Sequence, residues 1–176
     1  MIPVRFLLWH DRILYYVDGE TGSIRRYDDD QQRTDTVAEN AESHQALGSR
    51  IIAYSRPRES DVHFLYVSTG QTATLRVDAS SRVPFRFLPS PDGRRILGTL
   101  FADREGAGSR AFFIFDLESS ETRLFEIPGT SPDRAEIRGW IDEDTFWARV
   151  PAGDGHSFEL YIIDALNGEI KRGWKP

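Results

Sequence analysis

Short runs of hydrophobic residues, separated by turn-forming residues, follow one another along the whole chain. The runs are rich in Ile, Val, Phe, Tyr and Thr, and they are short and evenly spaced, which is typical of antiparallel β-strands. No apolar pattern with the period of a helix extends beyond a single turn, and only the segment from Val37 to Ser43 is predicted to form a helical turn. The pattern therefore predicts an all-β protein.

The hydrophobic pattern repeats four times. In each copy a hydrophobic strand ends in an acidic or small turn and a second strand follows, and the equivalent strand ends are interpreted as Asp18, Ser68, Asp116 and Asp164. These positions are 50, 48 and 48 residues apart. Units of this size cannot bury their apolar faces alone and must stack on their neighbours.

Four-stranded meanders at this period predict a β-propeller-like array of four antiparallel blades, forming either a four-bladed ring or half of a larger or dimeric propeller. A β-sandwich of unrelated hairpins is the alternative, and it does not explain the constant period. We predict one domain over residues 1–176, with blades at approximately 1–28, 44–78, 85–128 and 135–175.

The third copy is the clearest and supplies the pattern for four strands, A to D. Ser90-Pro91-Asp92-Gly93 between strands A and B is a strong hairpin signal, because each of these residues favours a tight turn. The first copy gives only strands B, C and D, at 4–9, 13–17 and 23–27, so that strand A is expected to be missing there.

The segment from Phe87 to Leu97, followed by Phe112-Phe113-Ile114-Phe115-Asp116, resembles the WD40-like (PD40) repeat of TolB-type β-propellers. The match is strong in the third copy, partial in the fourth and first, and weak in the second, where Ser68 stands at the strand end. The resemblance implies a propeller that serves as a scaffold for partners. It assigns no site residue. Propellers of that family usually have six or more blades, so four copies are a departure.

Composition excludes several classes of function. A formal net charge of −6 argues against a nucleic-acid partner, since such binding needs a basic surface. The absence of Cys excludes disulfides, a thiolate nucleophile and Cys-ligated zinc. No apolar run is long enough for a membrane helix, so no membrane insertion is expected. As written, the chain predicts a cytoplasmic protein, or a periplasmic one if an export signal has been removed.

If the protein binds a ligand, we expect the site among its long loops, which connect strands B to C and D to A and would gather at one end of the blades. Three of the four histidines precede a predicted strand C, and charged residues accompany them. The candidate binding residues on this loop face are His10, Arg56, Arg58, His63, Arg104, Arg110, Asp154 and His156. Trp140 and Trp147 are interpreted as packing residues between blades.

No catalytic residue, metal site or cofactor is predicted. Asp28-Asp29-Asp30 lacks the alternating ligands, Gly turn and distal Glu of a calcium loop. Ser, His and Asp are present, but no nucleophile elbow accompanies them.

The main hypothesis is a non-enzymatic scaffold that binds a protein or peptide partner. The alternatives are a small-molecule hydrolase or lyase built around His10, His63 and His156, and the propeller portion of a larger peptidase. A homodimer that completes the propeller would cover the blade faces that an open array exposes.

Overall fold

The computed structural model describes residues 4–78, 81–83, 86–102, 109–125, 135–152 and 157–172. Within these residues the chain is all-β, as predicted, and contains no helix. The strands are β1 (Val4–His10), β2 (Ile13–Asp18), β3 (Ile24–Asp28), β4 (Arg33–Ala38), β5 (Ser43–Leu47), β6 (Ile51–Ser55), β7 (Val62–Tyr66), β8 (Thr72–Leu75), β9 (Ser81–Arg82), β10 (Leu88–Pro89), β11 (Arg95–Ala102), β12 (Ser109–Asp116), β13 (Thr122–Phe125), β14 (Glu136–Trp140), β15 (Thr145–Pro151), β16 (Phe158–Asp164) and β17 (Ile170–Arg172).

These strands form four antiparallel sheets, which confirms the predicted set of four blades. Sheet 1 contains β1 to β4, sheet 2 contains β5 to β8, and sheet 4 contains β14 to β17, each in sequence order. In sheet 3, β10 to β13 follow sequence order and the short β9 also pairs with β11. The chain divides into two compact units, residues 1–79 with sheets 1 and 2, and residues 80–176 with sheets 3 and 4.

The first sheet corrects the prediction of three strands. A fourth strand, β4, pairs along β3 in a region predicted to be a long loop. Its sequence, Arg-Thr-Asp-Thr-Val-Ala, is mostly polar and exposed, and so it lacks the hydrophobic signal that marks the other strands. The helical turn predicted at Val37 to Ser43 is absent, because Val37 belongs to β4 and Ser43 begins β5.

Sheet 1 also has a strand A, which was expected from the sequence to be missing. Its strands β1 to β4 occupy positions A to D. The backbone N–H of Ala41, two residues before β5, donates to the carbonyl of Gly22 in the β2–β3 turn. That turn therefore lies at the end where β5 begins, as a connection between strands B and C should. Contact between β1 and β5 agrees that both are first strands of their sheets.

The turn after strand C also corrects the alignment of the second copy. Tyr66 donates its N–H to the carbonyl of Gln71, as Asp116 does to Glu121 and Asp164 does to Glu169. Tyr66 is therefore the strand-end residue of sheet 2, and Ser68 lies inside the turn. In sheets 2 to 4 the equivalent positions are 50 and 48 residues apart.

A hydrophobic core joins the two sheets of the first unit. One face of sheet 1, including Leu8, Tyr15 and Ile24, packs against Ile52 and Leu65 of sheet 2, and all five side chains are buried. Burial of such side chains against a second sheet is the main stabilising contribution that a small β unit has.

The second unit has a core of the same kind. Leu97 and Phe112 of sheet 3 pack with Phe146, Ala148 and Ile163 of sheet 4. Trp140 lies against this core and contacts the ring of Phe146 edge-on, in agreement with its predicted packing role.

The Ser-Pro-Asp-Gly turn before β11 forms as predicted. The Ser90 hydroxyl donates to Asp92 at 2.5 Å and accepts the N–H of Arg95 at 2.9 Å, while Asp92 accepts the N–H of Arg94. Gly93 has φ of +74°, a conformation that favours glycine. No described helix is long and apolar enough to span a membrane.

Candidate functional site

The first unit has two ends that differ in their connections. One, here called the loop end, holds the β2–β3 turn, the link from β4 to β5, and the loop from Arg56 to Asp61. Backbone hydrogen bonds join the link to the other two segments: Ala41 donates to Gly22 in the turn, and Glu42 donates to Ser55, the residue just before the loop. The candidate site is built on this end, because the longest described connection of the unit lies there.

A row of polar and aromatic side chains crosses sheet 2 at the loop end. Strand register places His44 opposite Tyr54, Tyr54 opposite His63, and His63 opposite Thr74. The rings of Tyr54 and His63 stack with centroids 5.0 Å apart. Nδ1 of His63 lies 3.1 Å from the Thr74 hydroxyl, so that this ring is held from both sides.

The loop that follows β6 adds charged groups to this row. Nε2 of His63 lies 3.1 Å from Glu59, and the guanidinium of Arg56 lies 3.8 Å from the other oxygen of Glu59. The same guanidinium lies 5.9 Å from the centre of the Tyr54 ring, within the range of a cation–π contact. Arg58 is exposed and has φ of +67°, so it lies at a sharp bend of the loop.

Two hydrogen bonds attach the base of the loop to the segment after β8. Asp61 accepts the N–H of Val77 at 3.0 Å, and the Ser60 hydroxyl donates to the carbonyl of Val77 at 2.6 Å. Both bonds hold the C-terminal end of the loop in place, just after Arg56 and Arg58.

His44 is the most unusual group of the row. Neither of its ring nitrogens has a hydrogen-bond partner within the described part of the chain, and both are buried. Burial lowers the pKa of His44, and the positive charge of Arg5 on β1 lowers it further. His44 is therefore held neutral near pH 7 beside a cationic side chain.

The structure brings together three of the eight predicted binding residues, namely Arg56, Arg58 and His63. His10 lies at the opposite end of the unit, because it ends strand A and precedes the tight turn at Asp11 and Arg12 rather than a B-to-C loop. Its Nε2 lies 3.3 Å from Asp11. His10 and His63, which the enzyme alternative places in one site, therefore lie at opposite ends of the unit.

The remaining four predicted residues lie in the second unit. Arg110 is in β12, where its backbone pairs with Phe101. Arg104, Asp154 and His156 lie outside the described residues. Among the residues that the structure describes, no group of three or more His, Asp or Glu side chains is placed to hold a metal ion.

The sequence interpretation missed His44, Tyr54, Thr74 and Arg5. The first three share a row with His63, and the signal was available in the register: in a hairpin from β5 to β6 closed by Gly48-Ser49-Arg50, position 44 must face position 54. Arg5 carried no such signal, because its approach to His44 depends on how sheet 1 packs on sheet 2.

The second unit has a shallow cleft of about 190 Å³ between sheets 3 and 4. Its charged lining consists of Arg95, Arg123, Asp116 and Glu121, and thus of two positive and two negative groups. Arg95 already contacts Asp144 at 2.6 Å, and Arg123 donates to the carbonyl of Ala165 at 3.4 Å. The lining groups therefore help to hold the two sheets together.

Comparison with known proteins shows the fold and not the family. No family model and no curated protein matches the sequence. Solved structures do match. Dipeptidyl peptidase 4 from Porphyromonas gingivalis is 8% identical with a TM-score of 0.66, and the match covers 95% of this chain and 29% of that one. The β-propeller domain of the Trilobed protease from Pyrococcus furiosus is 16% identical with a TM-score of 0.60, and the match covers 98% of this chain and 58% of that one.

TolB from Acinetobacter baumannii is 20% identical with a TM-score of 0.51, covering 97% of this chain and 42% of that one. The fold is that of a β-propeller. The chain spans between about a third and three fifths of the length of these structures. Identities this low carry no information about substrates or partners.

Proposed function

We propose that this chain is a non-enzymatic β-propeller module that binds an acidic segment of a protein or peptide partner at the loop end of its first unit. The observation that carries the proposal is the placement of Arg56 over Tyr54 beside the His63–Glu59 pair, on a loop whose base is fixed by hydrogen bonds to Val77. Arg56 and Glu59 are 41% and 43% exposed and can contact a peptide, while Tyr54 is buried and supports Arg56 from below.

The chemistry of arginine supports an acidic partner. Arg5, Arg56 and Arg58 at the loop end are half-buried or exposed and bear positive charge. Arginine binds carboxylates through paired donors and stacks on aromatic rings. The loop end also carries the exposed carboxylates of Glu20, Glu39, Glu42 and Glu59, so a partner carboxylate would bind at the arginines and not through a general positive charge of this end.

Peptide selection followed by measurement of affinity tests this proposal. A random peptide library is selected on the purified chain, and binding of the enriched peptides is measured by fluorescence anisotropy. We expect enrichment of Asp and Glu, and a loss of affinity of at least about tenfold in the double variant R56A/R58A, equivalent to about 1.4 kcal/mol. Arg12→Ala and Arg33→Ala, which lie at the opposite end of sheet 1, serve as matched controls. Equal binding by R56A/R58A and the wild type contradicts the proposal.

The finer family assignment is also a proposal. We infer that the blades are PD40-type repeats, supported by the Ser90-Pro91-Asp92-Gly93 turn and by the similarity in fold to TolB. Alignment of sequence relatives of this chain tests it, since PD40 repeats should keep this turn in several blades.

A second candidate function is the propeller portion of a larger peptidase. The similarity in fold to parts of a dipeptidyl peptidase and of the Trilobed protease favours it, since this chain covers only 29% and 58% of those structures. Sequencing of the gene downstream of the codon for Pro176 tests this candidate. A contiguous hydrolase domain would support it, and a stop codon together with a native protein of 176 residues would exclude it.

A further inference from the structure

The outer face of sheet 1, which points away from sheet 2, is apolar and exposed. It carries Val4, Phe6 and Trp9 of β1, whose exposed fractions are 59%, 62% and 51%. Register places Phe6 beside Tyr16 and Trp9 beside Leu14 on the same face. Three large apolar side chains this exposed on one sheet face indicate a surface made for contact.

A β-bulge creates this surface. Phe6 pairs with Tyr16 and Leu8 with Tyr15, so that Leu7 is the extra residue of β1. Without the bulge, Phe6 and Leu8 would share a face. With it, Leu8 joins the buried core while Trp9 joins Phe6 on the outside. The local geometry thus concentrates exposed apolar residues on the outer face.

Sheet 4 has an apolar outer face of its own. Phe146, Ala148 and Ile163 point into the core with sheet 3, so the opposite face carries Trp147, Ile162 and Phe158. Ile162 and Phe158 are 36% and 38% exposed, and the guanidinium of Arg149 lies 4.1 Å from the centre of the Phe158 ring. Trp147, which was predicted to pack between blades, therefore lies on this outer face and not in the core with sheet 3.

The two outer faces are of complementary kinds. In each unit the second sheet packs on the first through one defined face. This face carries the residue that precedes the end of the second sheet's own third strand. The residue is Leu65 in sheet 2 and Ile163 in sheet 4. In sheet 1 the residue before the end of the third strand is Tyr27, which pairs with Leu14 beside Trp9 on the outer face. Sheet 1 therefore leaves open the face that sheets 2 and 4 use to pack on an earlier sheet, and sheet 4 leaves open the opposite face. Sheet 4 of one chain can therefore pack on sheet 1 of another by the rule that both units already follow.

We propose that the outer face of sheet 1 binds the outer face of sheet 4 in a second copy of this chain, and that two such contacts, related by two-fold symmetry, form a homodimer. Each chain contributes both faces, so the dimer leaves neither exposed. This inference does not depend on the peptide site at the loop end.

Molecular mass in solution, measured by light scattering on the full chain, tests the proposal. We expect the wild type to have twice the mass of one chain, and Phe6→Glu and Ile162→Glu each to give monomers. Leu124→Glu in sheet 3 is the matched control, since Leu124 is 57% exposed but lies on neither outer face, and it should remain dimeric. Circular dichroism of each variant checks that the β structure is retained.

Mixing the two monomeric variants separates this arrangement from others. The F6E chain keeps an intact sheet 4 face and the I162E chain keeps an intact sheet 1 face, so an equimolar mixture should form a dimer through one intact contact. A wild type that is monomeric at all concentrations, a dimer that survives both substitutions, or folded variants that fail to associate when mixed would each overturn the proposal.

Discussion

The hydroxyl of Tyr15 donates a buried hydrogen bond of 3.0 Å to the carbonyl of Val67, and so joins the second strand of sheet 1 to a turn of sheet 2. Both residues are buried, at 2% and 4% exposure. Burial raises the pKa of Tyr15, which keeps the hydroxyl protonated and available as a donor. The bond therefore fixes the position of one sheet on the other within the first unit.

Tyr15→Phe should destabilise the protein by about 1–2 kcal/mol, because the ring still fills its space while the Val67 carbonyl loses its donor. Urea unfolding measures the change. Tyr27→Phe on β3 is the control and should shift stability by less than about 0.5 kcal/mol, as is usual for a partly exposed site. Equal effects of the two substitutions would show that the Tyr15–Val67 bond contributes no stability.

The second unit has a corresponding contact, in which the indole N–H of Trp140 in sheet 4 donates to the carbonyl of Leu88 in sheet 3 at 2.9 Å. Trp140→Phe should cost about 1–3 kcal/mol, since it removes both the donor and part of the ring that packs on Phe146. Thermal unfolding followed by near-ultraviolet circular dichroism measures this loss. Trp147→Phe, on the outer face of sheet 4, is expected to cost less in a monomeric background such as I162E, and a larger cost there would contradict this account.

Gly98 makes room for the ring of Phe113. A Cβ added at position 98 would lie 2.4 Å from Cζ of Phe113, whose side chain is fully buried. Gly98→Ala should therefore destabilise the protein by about 1–3 kcal/mol through overpacking. Phe113→Leu removes the obstructing atoms, so the double variant should be more stable than the sum of the two single changes predicts. Strict additivity in urea unfolding would show that the two sites do not touch.

The elements that the sequence predicted correctly are those whose signal is local. The turn before β11 follows from Ser90, Pro91, Asp92 and Gly93, each of which favours the bend that it makes. Strands in sheets 2 to 4 likewise follow from runs of apolar residues, because one or both faces of these strands are buried. Local chemistry alone suffices for these parts.

The sequence predictions fail where a strand or a residue position depends on contacts with parts of the chain that are distant in sequence. The strand β4 has almost no apolar signal, and it forms because β3 offers it a paired edge and Ala38 reaches the core. Once β4 is known, β1 becomes the first strand of its sheet, and His10 moves to the opposite end from His63. A single unrecognised polar strand thus changed both the blade alignment and the candidate site.

The alignment error at Ser68 has a different cause. In sheets 3 and 4, Asp116 and Asp164 end the third strand with a carboxylate that accepts the N–H groups of the following turn. Sheet 2 has Tyr66 at the equivalent place, and only the backbone bond from Tyr66 to Gln71 identifies it. The side-chain pattern alone therefore pointed two residues too far along.

The candidate site provides a prediction about pH. The pKa of His44 is lowered in the folded protein, chiefly by burial and then by Arg5. Its ordinary value is 6.5, so in acid the unfolded chain takes up a proton that folded His44 resists. The contribution of His44 to stability is therefore complete above about pH 6.5 and is lost as the pH falls below that value.

His44→Gln should consequently reduce the loss of stability between about pH 7.5 and about pH 5, measured as the shift in the urea midpoint between those values. Arg5→Met should reduce it by a smaller amount, because burial remains when the nearby charge is removed. His10→Gln, at the other end of the unit, is the control and should leave the pH dependence close to that of the wild type. If H44Q and the wild type lose equal stability on acidification, the proton that destabilises the fold binds elsewhere, and His44 is not the group that couples the loop end to pH.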